Sequence, residues 1–488
     1  MPLKLKRSSI RFYPDPKRII ARFYIPGGDT KAKLIINKVL ALSENETNTV
    51  LDQILRNFSK RHRNITKIFE KHFNKINNLL KNLDVDPDSL TLKKKLLIGS
   101  YFTQEYSIES AAFFNPSIVE DPDQFNLEEG QKRIIMSFRA TGEGHISSIV
   151  FRSGIIDKDN NLTFIKPGNL VDVPETVKRC IYNKKQFSNK LEEMKNNGYI
   201  LDMVMHRLKD EFIYGELLAS INEVSQDKSL TEFDKQELQR IKWLATSHYE
   251  TTFSLDTALS ERVIFPVSYS ETNGIEDARF VRFVDDDGTV TYYATYTAYN
   301  GHSILPNLLE TKDFYHFEIK PLNGQYVQNK GMALFPRKIN GQYAMISRYD
   351  GFCNFIMFSE NINLWQNIKK IQEPLYPWEF IKIGNAGSPL ETDKGWLLIT
   401  HSVGPMRKYT LGAILLDLDD PTKVIARLKE PLLVPNDEER EGYVPNVVYS
   451  CGSIIVNNEL IIPYAMSDYA STFATVSLDE LFHELLFR

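Results

Sequence analysis

Hydrophobic and polar residues alternate in five similar segments of the chain, and each segment predicts two short β-strands joined by a polar turn. A loop with acidic or asparagine residues follows each strand pair. The segments begin at Arg133, Val290, Gln342, Gly395 and Glu459. The last four starts lie roughly 50 to 65 residues apart, a spacing typical of propeller blades made of short strands. The pattern therefore predicts a mostly β fold, a five-bladed β-propeller, with a decorated β-sandwich as the alternative.

Helical periodicity replaces this alternation in two other stretches. Apolar residues recur every three or four positions over 43–80, which predicts one long helix or two helices in series. Residues 1–43 predict short strands and turns instead. A second helical block separates the first repeat from the second and predicts an insertion in the propeller. The predicted boundaries are 1–95 for an N-terminal strand and helix extension, 96–488 for the propeller domain, and 185–247 for the helical insertion.

The composition sets limits on the partners of the chain. With 488 residues, 42% of them hydrophobic and 25% charged, the chain is long enough to bury a sizeable core. Its formal net charge of -4 predicts neither nucleic acid nor an anionic membrane as a partner. No apolar run reaches membrane-spanning length, and the N-terminus lacks the apolar segment of a signal peptide.

The cysteines and histidines predict no metal site. Cys180, Cys353 and Cys451 are too widely spaced for a zinc pattern or a disulfide framework. The histidines lie on separate segments without the spacing of metal ligands. We therefore expect a cytoplasmic protein that needs no cofactor, and whether it forms a homo-oligomer stays open.

The seventh position of each repeat carries candidate chemistry at the end of an apolar strand. These residues are Arg139, Tyr296, Arg348, His401 and Ala465, and all except the alanine are large and polar. In a propeller such strand ends can converge on one mouth of the central channel, which predicts a pocket for an anion or a sugar. The alternative is that strand ends are polar because they reach water.

Several short motifs together resemble one known family. The stretch GIEDARF, from Gly274 to Phe280, resembles the Glu-Asp-Pro-Arg signature of glycoside hydrolase family 130, which contains mannoside phosphorylases and related β-1,2-mannosidases. Five further motifs resemble that family and, together with GIEDARF, occur in family order over about 100–485. They are FFNPSIV, IGNAGSPLETDKGWLLITH, LGAILLDLDDP, EREGYVPNVVYSCG and PYAMSD. The chain departs from the signature at Ala278, where the family usually has proline. The resemblance implies a five-bladed propeller that cleaves β-mannosides with inversion.

By this resemblance, Asp277 and its neighbour Glu276 are the catalytic residues, and Asp277 is the acid, which acts through the 3-hydroxyl of the sugar. Like-charge repulsion from Glu276 would raise the pKa of Asp277, and Arg279 would oppose that effect. The alternative is a surface turn in which the acids pair with an arginine. The residues that the resemblance assigns to sugar binding are Asn115, Arg139, Arg279 and Asp468.

A phosphorylase must also bind phosphate, which requires cationic or hydrogen-bonding side chains. The candidates are Arg348, His401, Lys382, Arg337 and Tyr409. Arg348 and His401 are supported both by their position in the repeat and by the resemblance. Lys382 stands where the family places a phosphate-binding lysine. Ordinary structural or surface roles remain equally open for Arg337 and Tyr409.

The predicted function is that of an inverting β-mannoside phosphorylase, which converts a β-mannoside oligosaccharide and phosphate into α-mannose 1-phosphate. The alternative is an inverting β-mannosidase that uses water and needs a carboxylate base, for which Glu439 and Glu441 are the candidates. A solvated charge run is the other interpretation of those two residues. A non-catalytic sugar-binding propeller is a third reading, from a different functional class. The linkage and the acceptor sugar stay open, as does the role of the insertion.

Overall fold

The fold is mostly β in the part of the chain that the computed structural model describes, namely residues 3, 5–177, 181–194 and 198–487. Cys180 lies outside these residues. The α-helices in the described part are α1 (Gly28–Leu40), α2 (Glu44–Phe58), α3 (Ile65–Asn74), α4 (Asn77–Lys81), α5 (Leu92–Tyr101), α6 (Lys184–Glu193), α7 (Gly198–Met205), α8 (Tyr214–Ser225), α9 (Glu232–Thr246) and α10 (Leu478–Phe487).

The strands of the described part are β1 (Lys6–Arg7), β2 (Ile19–Phe23), β3 (Thr103–Ser107), β4 (Ala112–Glu120), β5 (Lys132–Thr141), β6 (Ser147–Ile156), β7 (Leu162–Phe164), β8 (Glu175–Val177), β9 (Ile181–Asn183), β10 (Glu211–Ile213), β11 (Tyr249–Thr252), β12 (Val263–Ile264), β13 (Gly274–Val284), β14 (Val290–Tyr299), β15 (Ile304–Thr311), β16 (His316–Pro321), β17 (Ala333–Leu334), β18 (Tyr343–Ser347), β19 (Asn354–Ser359), β20 (Asn367–Gln372), β21 (Lys382–Asn385), β22 (Leu390–Thr392), β23 (Gly395–Val403), β24 (Tyr409–Leu416), β25 (Val424–Arg427), β26 (Val448–Tyr449), β27 (Ile454–Val456), β28 (Glu459–Met466) and β29 (Ala470–Ser477).

Each of the five repeats becomes an antiparallel strand pair in a sheet of its own. Sheet I contains β4, β5, β6, β7 and β12, and sheet II contains β13 to β16 with β8 and β11. Sheet III contains β17 to β20, sheet IV contains β21 to β25, and sheet V contains β26 to β29 with β1. One further strand precedes each repeat in the chain, pairs with the first strand of that repeat and begins its sheet. These five strands are β4, β13, β17, β21 and β26. The repeats seen in the sequence are therefore the second and third strands of each sheet.

Each sheet is buried on both faces because adjacent residues of a strand pack against different neighbouring sheets. On β13 of sheet II, Phe280 packs with Phe151 of sheet I, whereas Val281 packs with Met345 of sheet III. This two-residue alternation is the natural period of a strand. It explains why the repeats are apolar almost throughout rather than on one face only.

The same packing continues around the molecule. Sheets III and IV share a cluster that contains Ile346 and Leu398, and sheets IV and V share one that contains Leu397 and Ile462. Phe138 of sheet I lies in one cluster with Ile461 of sheet V. Each sheet thus packs on the next, and the fifth packs on the first.

The N-terminal region corrects one prediction. Strands and turns were predicted for 1–43, but α1 is a helix with Ala32, Ile36 and Val39 buried on one face. Its isoleucines and valine have high strand propensity, and helical packing against the neighbouring helices overrides that preference. The stretch 43–80 forms three helices, α2 to α4, rather than one or two. Strand β1 pairs with β29 of sheet V, so the start of the chain also belongs to a sheet.

The insertion forms a helical unit beside sheet II. Helices α6 to α9 enclose their own apolar cluster, which includes Leu191, Leu217 and Leu238. The small sheet of β9 and β10 joins the same unit. Helix α9 is tied to the segment before β13 by a hydrogen bond of 2.8 Å between the Oγ atoms of Ser247 and Ser270. Among the described residues, no helix is long and apolar enough to cross a membrane.

Candidate active site

Two equivalent bulges place the central polar side chains of the site. The ladder of β4 with β5 shifts register between Phe114 and Ser117, and that of β13 with β14 shifts between Glu276 and Arg279. Asn115 and Asp277 lie within these shifts with positive φ angles of 49° and 57°. Asn and Asp tolerate this left-handed conformation better than most residues, and a bulge re-aims the side chain it carries.

The side chains of the two bulges meet. The Asn115 Nδ2 atom donates a hydrogen bond of 2.6 Å to Oδ1 of Asp277. The Asn-Pro and Asp-Ala dipeptides of the sequence are therefore the same structural feature on neighbouring sheets. Ala278 replaces the proline of the family signature without removing the bulge or turning Asp277 away from Asn115.

Cationic side chains surround the acid pair. Arg139, at the end of β5, donates to Oε1 of Glu276 at 3.0 Å and to Oδ1 of Asp277 at 3.4 Å. The Lys330 ammonium group, from the loop before sheet III, forms an ion pair with Oε2 of Glu276. Glu276 is thus held between two cations, and only one oxygen of Asp277 is engaged by side-chain donors.

The charges around Asp277 lower its pKa on balance. Burial raises the pKa of Asp277, but the charges of Arg139 and Arg279, the Asn115 hydrogen bond and the Lys330 charge lower it. The net pKa lies below its ordinary value. The cations and the Asn115 hydrogen bond therefore outweigh the effect of burial, and Asp277 is a carboxylate in the ligand-free site.

The pKa of Asp468 is shifted in the opposite direction, upwards. It follows β28 with a positive φ of 52°, at the turn into β29. Burial and the charge of Asp277 raise the pKa of Asp468 to about 6, against the lowering effect of Arg139 and Arg407. The structure therefore brings Asp468 into the electrostatic neighbourhood of Asp277 and Arg139.

Arg279 is buried at the centre of the site with 2% of its surface exposed. Its Nη1 donates to the Asp277 carbonyl at 2.9 Å, its Nε to Oδ1 of Asn385 at 3.1 Å, and its Nη2 to the Tyr449 hydroxyl at 2.7 Å. Asn385 ends β21 of sheet IV, and Tyr449 ends β26 of sheet V. Three of its five N–H donors thus bond to protein groups, which ties Arg279 to sheets II, IV and V, while its role in sugar binding stays a prediction.

A hydrogen-bonded chain leads from this centre to the predicted phosphate ligands. The Asn385 carbonyl accepts a hydrogen bond of 2.8 Å from Nδ1 of His401, and Nη1 of Arg348 donates to the His401 Nε2 at 3.0 Å. Only the neutral tautomer with its proton on Nδ1 satisfies both contacts. Burial, with the nearby charges of Arg348 and Arg279, lowers the pKa of His401 well below its ordinary value.

Lys382 and Tyr409 lie on the same side of the cluster. Lys382 begins β21, and its charge also lowers the pKa of His401, after the larger effects of burial and of the two arginines. Its Nζ atom lies 5.4 Å from the centre of the Tyr409 ring. That ring is nearly parallel to the His401 imidazole, with centroids 6.3 Å apart. The structure therefore brings four of the five predicted phosphate ligands together.

Arg337 is the exception and corrects the prediction. Its guanidinium forms an ion pair of 2.7 Å with Glu391, and it lies over the Trp396 ring at 4.9 Å. Both partners of the ion pair are partly exposed, at 39% and 42%. Arg337 thus has a surface structural role on sheets III and IV, and the described contacts do not connect it to Arg348 or His401.

The two candidate bases, Glu439 and Glu441, have different surroundings. Glu439 is fully buried, and its carboxylate accepts hydrogen bonds from the Tyr464 hydroxyl at 2.6 Å, from Nε of Arg7 at 3.1 Å and from the Asn436 amide at 3.1 Å. This network joins Glu439 to β1 and β28 of sheet V, so its carboxylate has a structural role. Glu441 is exposed in the following loop. The described contacts therefore give the Glu439 carboxylate a structural role and show no partner for Glu441 within the described residues, so the assignment of Glu441 stays a prediction.

Glu439 belongs to a repeated structural feature that the sequence reading missed. A fully or almost fully buried glutamate precedes the first strand of four of the sheets: Glu109, Glu271, Glu379 and Glu439. Each accepts hydrogen bonds from an arginine or from tyrosines, for example Arg18 on Glu109 and Arg427 on Glu379. These ion pairs and hydrogen bonds fix the entry of the chain into the sheets, which is a structural role.

Other site residues were not predicted. Lys330, Asn385, Tyr449 and Arg407 enter the site through the contacts and charges described above. Asn385 and Tyr449 stand inside the quoted motifs IGNAG and NVVYSCG, so those motifs contained a signal for them. Lys330 and Arg407 come from loops whose local sequence gives no such signal.

Several buried polar atoms of the cluster have no hydrogen-bond partner. These atoms are Nε of Arg139, Nε of Arg348 and Oδ1 of Asn115. Because unpaired buried polar groups are unfavourable, their concentration beside Asp277 and His401 marks a place where a polar ligand can bind. In the described part of the chain, no group of three or more His, Cys, Asp or Glu side chains is arranged to hold a metal ion.

The buried carboxyl group of this site can transfer a proton, as cleavage of a glycosidic bond requires, and the cationic donors beside it can bind an anion. A family model described as beta-1,4-mannooligosaccharide phosphorylase, that of glycoside hydrolase family 130, matches residues 254–485. The 1,2-beta-oligomannan phosphorylase of Thermoanaerobacter sp. (strain X514) is 36% identical over 231 residues, which cover 46% of this chain and 75% of the relative.

The chain is also similar to a second relative and to a solved structure. The beta-1,2-mannobiose phosphorylase of Listeria innocua serovar 6a is 28% identical over 324 residues, covering 64% of this chain and 83% of the relative. The crystal structure of a beta-1,2-mannobiose phosphorylase from Listeria innocua aligns with a TM-score of 0.46 at 21% identity, over 78% of this chain and 94% of that chain. The sequence similarities show that the chain belongs to glycoside hydrolase family 130, as its motifs predicted.

We predict that His401 is neutral and protonated on Nδ1 at pH 6 to 7, because burial and Arg348 disfavour the imidazolium. Nitrogen NMR of the histidine-labelled protein should show that the His401 ring has one protonated and one unprotonated nitrogen. The urea-unfolded chain is the control, in which histidine titrates near pH 6.5. Since only the unfolded chain gains this proton, His401 should lower the free energy of unfolding as the pH falls below about 6.5. Protonation of both ring nitrogens in the folded protein at pH 6.5 would contradict the assignment.

Proposed function

We propose that the protein is an inverting β-mannoside phosphorylase that transfers a mannosyl group to phosphate and releases α-mannose 1-phosphate and a shortened acceptor. The observation that carries this proposal is the hydrogen-bonded chain from Asp277 through Arg279, Asn385 and His401 to Arg348. It links the backbone carbonyl of Asp277, the residue that carries the proton-transfer group, to a cationic anion-binding group within one buried network. A phosphorylase needs these two functions next to each other.

We further propose that the five sheets are the blades of a five-bladed β-propeller with the site at its channel mouth. The cyclic packing of sheets I to V supports this fold, as does the pairing of the N-terminal β1 with the C-terminal β29. Propeller rings are commonly closed by strands from both ends of the chain. In this proposal the helices within 1–95 form an extension and those within 185–247 form an insertion.

The sugar lies on the side of sheets I, II and V. Asn115, Arg139 and Asp468 are the candidates for holding the mannosyl hydroxyls. Nε of Arg139 and Oδ1 of Asn115 are without a partner in the protein and can serve as one donor and one acceptor. Asp468 is mostly ionised above its pKa of about 6 and can then accept hydrogen bonds from two hydroxyl groups.

The phosphate lies on the side of sheets III and IV. Arg348 offers a buried Nε without a partner, and Lys382 and Tyr409 stand beside it. His401 has both nitrogens occupied, by Asn385 and by Arg348. We therefore assign His401 to the positioning of Arg348 rather than to direct phosphate binding, a change from the role predicted from the sequence.

Phosphate also helps Asp277 to act as an acid. The ligand-free carboxylate has a lowered pKa because several cations surround it. A bound phosphate dianion adds negative charge on the far side of Arg348, which raises the pKa of Asp277 again. Proton uptake by Asp277 is then coupled to binding of the nucleophile. The proton passes to the leaving oxygen through the sugar 3-hydroxyl, a relay for which the resemblance to the family is the support.

Hydrolysis is not favoured by any described feature of the site. An inverting hydrolase needs a second carboxylate poised to activate water. Glu439 is engaged in the network of sheet V, and Glu441 is exposed in a loop. The remaining carboxylate of the pair, Glu276, is held by Arg139 and Lys330.

The direct test is product analysis with β-1,2- and β-1,4-mannobiose in the presence and absence of phosphate. We expect mannose 1-phosphate and free mannose in equal amounts only when phosphate is present, because the cation cluster binds the nucleophile. The two linkages are tested in parallel, since the family description and the two relatives above name different ones. Release of free mannose alone at the same rate in both mixtures would replace the proposal by a mannosidase.

Asp277→Asn should reduce phosphorolysis by about a hundred- to ten-thousand-fold, the range of general acid catalysis. The change keeps the size of the side chain and an oxygen that can accept from Asn115, so sugar binding should persist. Asp287→Asn, in the exposed turn at the other end of the same hairpin, is the matched control. Both variants are compared by initial rates and by thermal unfolding. An active, folded Asp277→Asn enzyme would remove this residue from the mechanism.

Arg348→Ala should raise the KM for phosphate about tenfold or more, because one charge-assisted contact to a dianion is lost. Arg337→Ala removes the same side chain from the surface ion pair with Glu391 and is the control. Its KM for phosphate should stay within about twofold of the wild type. Equal effects of the two substitutions on the KM for phosphate would refute the assignment of Arg348.

A further inference from the structure

A large groove lies between the insertion and sheet II, outside the cluster around Asp277. Its volume is about 1350 Å³. One wall is formed by α9 with the end of α6, and the other by the loop and strand residues 300–306 and by residues 324–329. We call this space the insertion groove. The lining residues used below are Gln236, Gln239, Arg240, Trp243, Asn300 and Gln328.

We propose that the insertion groove binds the sugar units of an oligosaccharide beyond the bond that is cleaved, so that the insertion selects longer chains over disaccharides. This inference rests on the proposed function, since it assumes cleavage at Asp277. It assigns binding to residues of α9, a part of the chain that lies outside the family match at 254–485.

The position of the groove supports this assignment. Asn300 of the groove directly follows Tyr299, and Asn329 of the groove directly precedes Lys330. The Lys330 ammonium group contacts Glu276 and lies 5.6 Å from the centre of the Tyr299 ring. Lys330 and Tyr299 therefore connect the lining of the groove to the acid pair.

The location of the groove beside sheet II also agrees with the expected position of the leaving group. In the proposed relay the proton of Asp277 reaches the leaving oxygen through the 3-hydroxyl of the mannosyl unit, so the leaving group lies on the side of that unit that faces Asp277, which β13 of sheet II carries. The proposed phosphate ligands Arg348 and Lys382 are carried by sheets III and IV instead. The part of the substrate that leaves with the proton is thus placed beside sheet II, where the groove begins.

The size and the lining fit a chain of sugars. Sites for one small molecule have volumes of about 300 to 1000 Å³, and the groove is larger. Amide side chains such as Gln236, Gln239 and Gln328 carry both donors and acceptors and suit neutral hydroxyl groups. Trp243 offers an aromatic surface, and its indole N–H is buried without a hydrogen-bond partner.

The groove is also held in shape before a ligand binds. Both carboxylate oxygens of Glu193 on α6 accept the amide of Gly324, at 3.0 and 3.2 Å. The other end of the wall is fixed by the hydrogen bond between Ser247 and Ser270. A preformed groove binds a flexible chain with a smaller entropic loss than a groove that must first be ordered.

The test compares Gln239→Ala and Trp243→Ala with the control Lys235→Ala, which changes an exposed residue of α9 outside the groove. The kcat/KM values for phosphorolysis are measured with a β-mannobiose and with a β-mannotetraose of the same linkage. We expect each groove variant to lower kcat/KM for the tetraose about fivefold to tenfold, since each loses one binding contact. The value for the disaccharide should change by less than about twofold, and Lys235→Ala should match the wild type on both substrates.

Equal losses on both substrates, or no loss with the tetraose in either groove variant, would overturn the inference. Gln239 is an exposed helix residue, so its replacement by alanine keeps the fold even if Trp243→Ala does not. Failure of the proposed function has a different signature. In that case the wild type itself would form no mannose 1-phosphate from either substrate.

Discussion

The site depends on one buried charge, the guanidinium of Arg279. A buried cation is tolerated only if its donors find partners, because removing it from water is costly. Its described partners are the Asp277 carbonyl on sheet II, Asn385 on sheet IV and Tyr449 on sheet V. Satisfying this single residue therefore fixes three sheets relative to one another at the point where the acid lies.

Asn385 extends this constraint to the anion-binding side. Its side chain accepts from Arg279, and its carbonyl accepts from His401, which in turn orients Arg348. The neighbouring Gly384 is required by the same geometry, because a Cβ atom there would lie 2.4 Å from Cε1 of His401. The positions of the acid and of the proposed phosphate ligands are thus set by one continuous network, not by separate loops.

Sequence reasoning located the strand pairs and most of this network because both have local signals. Strands buried on two faces give long apolar runs, and a large polar residue at their end, such as Arg139 or Arg348, stands out. Glu439 was misassigned because its partner Arg7 is 432 positions away, and no local pattern distinguishes a buried ion pair from a solvated charge run. Lys330 was missed for the same reason. Helix α1 was missed because its isoleucines and valine favour strands, and only packing with later helices decides otherwise.

The proposed function explains why several cationic side chains lie near Asp277. Arg139, Arg279 and Lys330 lie near Asp277, and with Arg348 they give the site a strong attraction for an anion. The same charges lower the pKa of Asp277, so the acid is deprotonated while the site is empty. A phosphate dianion bound at Arg348 would weaken that effect and favour the protonated acid. The excess of positive charge therefore recruits the nucleophile and also delays proton transfer until the nucleophile is present, which limits transfer of the sugar to water.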